Sequence, residues 1–314
     1  MSAERRQLVL DCDPGHDDAL AILLAAASPA LDLRAITTVA GNQTLDKVTL
    51  NARRVCTVAG IRNVPIAAGC DRPLVRELRV AASIHGASGL DGPQWSYPTV
   101  EADPRHGVDL IVELAAGADG PLTIVATGPL TNVAAALRRD PVLATQLERI
   151  VLMGGAIGLG NWTPAAEFNI HVDPEAAAEV FASGVPITMI PLEVTHQALA
   201  TAEVLLRIDD LGTSVARMAG ALLRYFADTY ERVFGFPAPA VHDPCAVAWL
   251  IDPTLVTTQP MNVAVETRSA LSDGRTVCDM YQTAGRAANA EVGLGLDAER
   301  VWDLMVAALA TYAD

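Results

Sequence analysis

Short hydrophobic segments alternate with longer amphipathic ones over the first two thirds of the chain. The strand-like segments are QLVLD, LDLRAITTVAG, VPIAAG, PLTIVATG, ERIVLMGG and VPITMIPLE. Between them lie segments with apolar residues at helical spacing, such as TLDKVTLNARRVCTVAG, PLTNVAAALRR and PEAAAEVFASG, and a further helix is predicted from about Asp17 to Ala27. Strands that alternate with helices indicate parallel pairing through right-handed crossovers. We therefore predict an α/β fold with an open, mostly parallel sheet flanked by helices.

The alternation is interrupted in two places and changes character near the end. Residues 68–105 and 155–168 are rich in Gly, Pro or Asn, and long loops of this kind are often lids or binding loops. Beyond Thr201 the pattern predicts mostly helix, with a hairpin formed by PMNVAVET and GRTVCDMY. Because the chain shows neither an internal repeat nor linker composition, we predict one domain over residues 1–314.

Composition and charge exclude several classes of function. The chain has 22 basic and 37 acidic residues, a net charge of −15, which disfavours nucleic acid and suits a neutral or cationic small ligand. Apolar runs fall short of the ~20 residues of a membrane helix, and the first one is interpreted as a strand, so we expect no membrane association. Five cysteines without a CxxC pair predict reduced thiols, no zinc site and a cytoplasmic location.

Polar residues follow the predicted strands at their carboxyl ends. Asp11 and Asp13 end the first strand, and Asn42 follows the second. Later strands end at Thr127, Met153 and Glu193. Ligands of open parallel sheets bind at this edge, so these residues are expected to converge on one crevice.

The first strand end carries four aspartates, Asp11, Asp13, Asp17 and Asp18, within eight residues. Two carboxylates about 4 Å apart repel by about 4 kcal/mol at intermediate dielectric, whereas a helix N-terminus returns only ~0.3–1 kcal/mol to each. A divalent cation can offset this repulsion, and several carboxylates with a backbone carbonyl favour Ca²⁺ over Mg²⁺. Neighbouring helical residues point about 100° apart, so one of Asp17 and Asp18 can bind the ion while the other faces a substrate. The alternative, that these aspartates only cap the helix, explains one or two of them.

Two downstream segments add further candidates. His242 and Asp243 precede Pro244, and by itself this arrangement indicates a helix N-cap with a neighbouring loop histidine. The segment NWTPAAEFNIHVDPEAA places Asn161, Glu167 and Asn169 in a loop beyond a strand end, where they are typical of hydroxyl-binding groups.

Eight segments, read together, resemble one enzyme family from about Leu8 to Leu250. They are DCDPGHDDALAILLA, TTVAGN, IHGASGLDG, ATGPLTN, LMGGAIGLGN, AEFNIHVDPEAA, PLEVTH and VHDPCAV. In this order they resemble the nucleoside hydrolases, the inosine–uridine-preferring N-ribohydrolases. The resemblance implies Ca²⁺-dependent hydrolysis of the N-glycosidic bond of ribonucleosides, a Rossmann-like mixed sheet, and a homodimer or homotetramer.

The resemblance also implies a role for each matching residue. Asp13 corresponds to the general base and to a metal ligand, and the other metal ligands would be Asp18, the Thr127 carbonyl and Asp243. The ribose-binding residues would be Asp17, Asn42, Asn161, Glu167, Asn169 and Asp243, with Met153 lining the sugar pocket. His242 corresponds to the group that protonates the departing base, and His85 to a base-proximal histidine on a mobile loop. His16 is expected to face away from the metal, and His196 has no predicted role.

The base specificity depends on the helix before the HDP segment. Members that accept purines and pyrimidines carry two tyrosines there, and this chain has Phe226 and Tyr230 at those positions. We predict broad purine and pyrimidine hydrolysis, with a pyrimidine-restricted hydrolase as the alternative. On composition alone, Phe226 and Tyr230 at i, i+4 are more often a packed helix face.

Two functions of other classes stay open. A nucleoside- or ribose-binding protein without turnover would keep the site but would need neither Asp13 nor His242 as an acid or a base. A Mg²⁺-dependent phosphotransfer enzyme would use paired aspartates too, but its signature has small hydroxyl residues where Pro14 and Gly15 stand.

Overall fold

The computed structural model describes residues 5–313 and contains the predicted parallel sheet. Its first six strands are β1 (Arg6–Cys12), β2 (Leu31–Thr38), β3 (Ile66–Ala68), β4 (Leu122–Ala126), β5 (Leu147–Met153) and β6 (Ile187–Ile190). They pair in parallel in the order β3-β2-β1-β4-β5-β6. The carboxyl ends of β1, β4 and β5 are therefore adjacent at one edge, as the prediction of a single crevice requires.

Helices connect these strands and cover both faces of the sheet. They are α1 (His16–Ala27), α2 (Leu45–Val58), α3 (Ala82–His85), α4 (Gly107–Ala116), α5 (Thr131–Arg139), α6 (Leu143–Gln146), α7 (Phe168–Val172), α8 (Pro174–Phe181) and α9 (Leu192–Thr195). Alternation along β1 buries Leu8 and Leu10 in one hydrophobic cluster and Val9 in another. The first cluster includes α1 and α2, and the second includes α4, α5 and α8. The prediction of an open sheet flanked by helices is confirmed.

The C-terminal third contains more strand than the sequence pattern predicts. It comprises α10 (Ala202–Asp209), α11 (Ser214–Phe234), α12 (Asp243–Ile251), β7 (Val256–Met261), β8 (Val263–Val265), β9 (Thr276–Cys278), β10 (Ala290–Leu296) and α13 (Ala298–Leu309). The hairpin is present as β8 and β9, with Val263 paired to Cys278. However, β10 also joins the sheet, parallel to β6 and antiparallel to β7, which makes an eight-stranded mixed sheet. Gly293 and Gly295 weaken the strand signal of β10.

Within residues 5–313, every helix is too short or too polar to cross a lipid bilayer. The turn between β1 and α1 is tight because Pro14 and Gly15 separate the two elements. The Gly15 N–H donates to Asp18 Oδ2 at 2.9 Å, which caps the start of α1. This turn brings the acidic residues of β1 and α1 to the same edge of the sheet.

Candidate active site

A cluster of buried carboxylates lies at the carboxyl edge of the sheet. Asp13, Asp17, Asp18 and Asp243 are all buried, although Asp243 is more than 200 residues from the others along the chain. Asp17, Asp18 and Asp243 each place a carboxylate oxygen within 4.8 Å of the other two. Among the described residues, these three form a group with the donor chemistry of a hard cation site.

Asp13 lies beside this group with one oxygen unpaired. The Asn42 backbone N–H donates to Asp13 Oδ2 at 2.6 Å, whereas Asp13 Oδ1 is buried and has no hydrogen-bond partner within residues 5–313. Gly41 and Gly128 flank the carboxylate so closely that a Cβ atom at either position would overlap it. A buried carboxylate oxygen without a donor is costly, and a bound cation or its water would satisfy it.

Thr127, the remaining predicted metal ligand, contacts Asp18, and so does Asn42. Thr127 Oγ1 donates to Asp18 Oδ1 at 2.8 Å, and Asn42 Nδ2 donates to Asp18 Oδ2 at 3.3 Å. The Thr127 carbonyl, which was predicted to bind the metal, accepts a hydrogen bond from Asn169 Nδ2 at 2.9 Å. A carbonyl has two lone pairs, so this bond leaves one for another partner.

Burial makes ionisation of the whole cluster unfavourable. It raises the pKa of Asp17 to about 7, and it raises the pKa of Asp18. It also raises the pKa of Asp13 and of Asp243 well above the usual value, and neighbouring aspartates raise both further. A divalent cation would counter both causes, because it supplies the positive charge that these buried groups lack. The oxygen-only donor set, the unpaired Asp13 oxygen and the shifted pKa values all fit such an ion.

A cavity of about 250 Å³ opens beside the acids. The cavity is lined by every residue that was predicted to contact the substrate, and also by Thr127 and His242. Asp13 and Asp18 are not among the lining residues. Lining residues that the sequence analysis missed are Ser83, Ile84, Trp162, Phe168, Val233 and Phe234. Two of these could have been found in the segment NWTPAAEFNIHVDPEAA, which contains Trp162 and Phe168 beside the polar candidates. Phe234 could have been found by extending the i, i+4 spacing of Phe226 and Tyr230 by one step.

The sugar-side candidates are held by the loop between β5 and α7. Glu167 caps α7, because its Oε1 accepts from the Asn169 N–H at 2.8 Å and its Oε2 from the Ile170 N–H at 3.1 Å. Burial raises the pKa of Glu167 to about 7. Asn161 Oδ1 accepts from the Phe168 N–H at 3.0 Å, and Asn169 Nδ2 donates to the Met153 carbonyl at 3.2 Å. These bonds fix the side chains while the Asn161 amide nitrogen and the Asn169 amide oxygen remain available to hydroxyl groups.

The opposite end of the cavity is aromatic. Tyr230 Oη and His242 Nε2 are hydrogen-bonded, and Thr195 Oγ1 lies 2.7 Å from His242 Nδ1. The His242 backbone N–H donates to Asp17 Oδ2 at 3.0 Å, which ties this end of the cavity to the acid cluster. Burial lowers the pKa of His242 to about 3, so the neutral ring is the resting form at neutral pH. The sequence analysis did not predict the contact with Thr195.

His85 ends α3 and packs with His16 at the same end. The two Nδ1 atoms are 3.0 Å apart, and Phe226 stacks on both rings at centroid distances of 5.4 and 5.3 Å. His16 Nε2 lies 2.8 Å from the Asp91 carbonyl. Burial lowers the pKa of both histidines, that of His16 to about 4. His16 thus supports the aromatic end of the cavity through His85.

Known proteins are similar to this chain over almost its whole length. The family model described as inosine-uridine preferring nucleoside hydrolase matches residues 8–303. The chain is 49% identical over 309 residues to the pyrimidine-specific ribonucleoside hydrolase RihA of Shewanella sp. (strain ANA-3), covering 98% of this chain and 97% of that one. It is 47% identical over 307 residues to the RihA of Escherichia coli O8 (strain IAI1), covering 98% and 99%.

A solved structure shows the same fold. The purine-preferring ribonucleoside hydrolase from Gardnerella vaginalis superposes with a TM-score of 0.92 at 33% identity, covering 98% of this chain and 99% of that one. The chain belongs to the inosine-uridine preferring nucleoside hydrolase family. The predicted family, its fold and its enzyme class are confirmed: the protein is a nucleoside hydrolase.

Proposed function

We propose that the protein hydrolyses the N-glycosidic bond of pyrimidine ribonucleosides, with Ca²⁺ as its cofactor. The observation that carries the metal proposal is the unpaired, buried Oδ1 of Asp13 next to the three carboxylates of Asp17, Asp18 and Asp243. The site offers oxygen ligands and has neither a cysteine nor a histidine among its metal candidates, which favours a hard cation.

The ion would be held by Asp13, Asp18, Asp243 and the Thr127 carbonyl, the set that the sequence predicted. Asp17 belongs to the geometric group as well, and it also lines the cavity, so it can contact both ion and sugar. When bound, Ca²⁺ would acidify the attacking water and orient the ribose hydroxyls.

The protein groups act on the two sides of the bond that breaks. As the C1′–N bond lengthens, its electron pair leaves with the base and positive charge develops on the ribose, which the nearby carboxylates stabilise more than they stabilise the neutral substrate. Asp13 accepts a proton from the water whose oxygen bonds to C1′. No described residue is positioned as a covalent nucleophile in this proposal, so the anomeric centre would invert.

His242 supplies the proton for the departing base. Because the resting ring is neutral, His242 first takes up a proton from solvent. The protonated ring, with so low a pKa, then gives up its Nε2 proton readily, either to the base or to Tyr230, whose own hydroxyl proton passes to the base. The base departs neutral and His242 returns to its neutral form. The proton that Asp13 gained is released to solvent, so the protein ends the cycle unchanged.

The pyrimidine preference is supported by the relatives that are 47–49% identical, which are called pyrimidine-specific. The broad purine and pyrimidine activity predicted from the sequence is the second candidate. Two observations favour this broad activity: the hydrogen bond between Tyr230 and His242, and the similarity to a solved structure that is called purine-preferring.

A substrate panel tests the proposal. With Ca²⁺ present, we expect kcat/KM for uridine or cytidine to exceed that for inosine and adenosine by at least about tenfold, measured as released base and ribose. Similar values for all four nucleosides would support the broad specificity instead. Tight nucleoside binding without products would indicate a binding protein.

The remaining properties are also proposals. We infer that residues 1–314 form one domain that acts in the cytoplasm in purine and pyrimidine salvage, as a homodimer or homotetramer with no nucleic-acid or membrane partner. Light scattering on the purified protein tests the assembly, since a monomer mass would contradict it.

A further inference from the structure

The last residue of α9, Thr195, contacts the ring nitrogen of His242 that faces away from Tyr230. Its Oγ1 lies 2.7 Å from His242 Nδ1, and both residues are buried. We propose that Thr195 is a positioning residue that orients His242 for protonation of the departing base. The inference rests on the proposed function and assigns a role to a residue that is not among those lining the cavity.

The orientation of the His242 ring depends on its two nitrogen contacts. The backbone of His242 is fixed by its bond to Asp17, but the side-chain torsions are not. Tyr230 is hydrogen-bonded to Nε2 and Thr195 to Nδ1, so contacts at both ring nitrogens fix the orientation of the ring. Within residues 5–313, the Thr195 hydroxyl has no other hydrogen-bond partner. It donates to Nδ1 when the neutral ring carries its hydrogen on Nε2, and it accepts from Nδ1–H otherwise.

Donation from Thr195 to Nδ1 is the arrangement that suits proton transfer toward the base. If Thr195 donates to Nδ1, the ring hydrogen must be on Nε2, on the side of Tyr230 and the cavity. Without the hydroxyl, the ring is free to carry its hydrogen on Nδ1, and the Tyr230 hydrogen would then point at His242 instead of at the base. A hydroxyl can also rotate and accept a hydrogen bond from Nδ1–H, so Thr195 supports the protonated ring before proton transfer and the neutral ring after it.

The hydroxyl of Thr195 can be removed without removing the backbone hydrogen bonds that this residue makes. Its backbone N–H donates to the Pro191 carbonyl at 3.1 Å, and its carbonyl accepts from the Ala198 N–H at 3.0 Å. Both bonds survive in Thr195→Val, which keeps the shape and β-branching of the side chain and removes only the hydroxyl. Thr195→Ser keeps the hydroxyl and removes a methyl group, which makes it the rescue variant.

The test compares two leaving groups. Uridine requires protonation of its base, whereas p-nitrophenyl riboside has a leaving group that departs as a stable anion. We expect Thr195→Val to lower kcat for uridine by about 10- to 100-fold with KM within about twofold, and to leave p-nitrophenyl riboside within about twofold, since general-acid assistance is typically worth 10²–10⁴-fold. Thr195→Ser should keep both rates within about threefold of the wild type.

Thr49→Val is the matched control, because Thr49 Oγ1 makes a buried 2.7 Å hydrogen bond to Thr38 Oγ1 that does not involve His242. It should leave the ratio of the two rates unchanged.

Equal losses on both substrates in Thr195→Val, or no loss on either, would overturn the inference. If Thr195→Val fails to fold, Thr195→Cys, whose thiol is a weak donor, should lower the uridine rate selectively. A wild type that cleaves both substrates, together with a Thr195→Val variant that shows no selective loss on uridine, would overturn the role of Thr195 but not the hydrolase activity, whereas failure of the wild type on both substrates would overturn the proposed function too.

Discussion

The two ends of the cavity are built in different ways. The acidic end is formed largely by one short segment, the turn from β1 to α1, with Asp243 added from α12, and its carboxylates are held mostly by backbone N–H groups and by Asn42 and Thr127. The aromatic end is assembled from α3, α9, α11, the residue before α12 and His16 at the start of α1, and is held by contacts between side chains. In the proposed mechanism this difference separates the two tasks of the reaction, because the acidic end would act on the sugar and water and the aromatic end on the base.

If this separation is correct, changes at the acidic end should affect every substrate. Asp13→Asn should lower kcat by about 10²-fold or more for nucleosides and for p-nitrophenyl riboside alike, because every substrate needs activated water. Steady-state rates on both substrates check this. Asp46→Asn is the control, since Asp46 is exposed on α2. A near-normal rate in Asp13→Asn would remove Asp13 from its proposed role.

Changes at the aromatic end should discriminate between leaving groups. His242→Ala should lower kcat for uridine by about 10²-fold and leave p-nitrophenyl riboside nearly unchanged, because only the nucleoside needs the proton. The ratio of the two rates is the measurement. A variant that loses both activities equally would show that His242 supports the sugar site. The two ends of the cavity would then not have separate functions.

Binding of Ca²⁺ at the acidic end should also be measurable without substrate, through its effect on the free energy of unfolding. At a Ca²⁺ concentration 100 times its dissociation constant, binding to the folded state should raise the free energy of unfolding by about 2.7 kcal/mol. Asp18→Asn should reduce this gain, since Asp18 is buried within the carboxylate group. Thermal unfolding with and without Ca²⁺ measures it, and an unchanged gain in the variant would place the ion elsewhere.

The smallest expected effect concerns Asp11, which shares β1 with Asp13 but bonds to Thr37 and Asn132. Burial raises the pKa of Asp11 to about 7, so between about pH 4 and pH 7 the folded state keeps a proton that the unfolded state has lost. Stability should therefore fall as pH rises through this window. Relative to the wild type, Asp11→Asn should gain of the order of 1 kcal/mol between pH 5 and pH 8 in urea unfolding. A constant difference across this range would show that Asp11 does not titrate there.

The acidic end is the part of the site that the sequence predicts best. Four aspartates in one turn carry their own signal, and hydrophobic alternation was sufficient to place β1 to β6 in a parallel sheet. Thr195 carried no such signal, because its contact with His242 depends on how α9 packs beside α12. β10 was missed for a local reason, since two glycines interrupt its pattern. Residues that act through tertiary contacts of side chains are thus the ones that the sequence conceals.

We propose above all that the buried carboxylates bind a calcium ion that hydrolysis requires. The most direct measurement is the initial rate of uridine hydrolysis by protein treated with a chelator, followed during titration with Ca²⁺. We predict negligible activity without the ion and full, saturable recovery as one ion per chain binds. Undiminished hydrolysis in excess chelator, with no response to added Ca²⁺, would contradict the account.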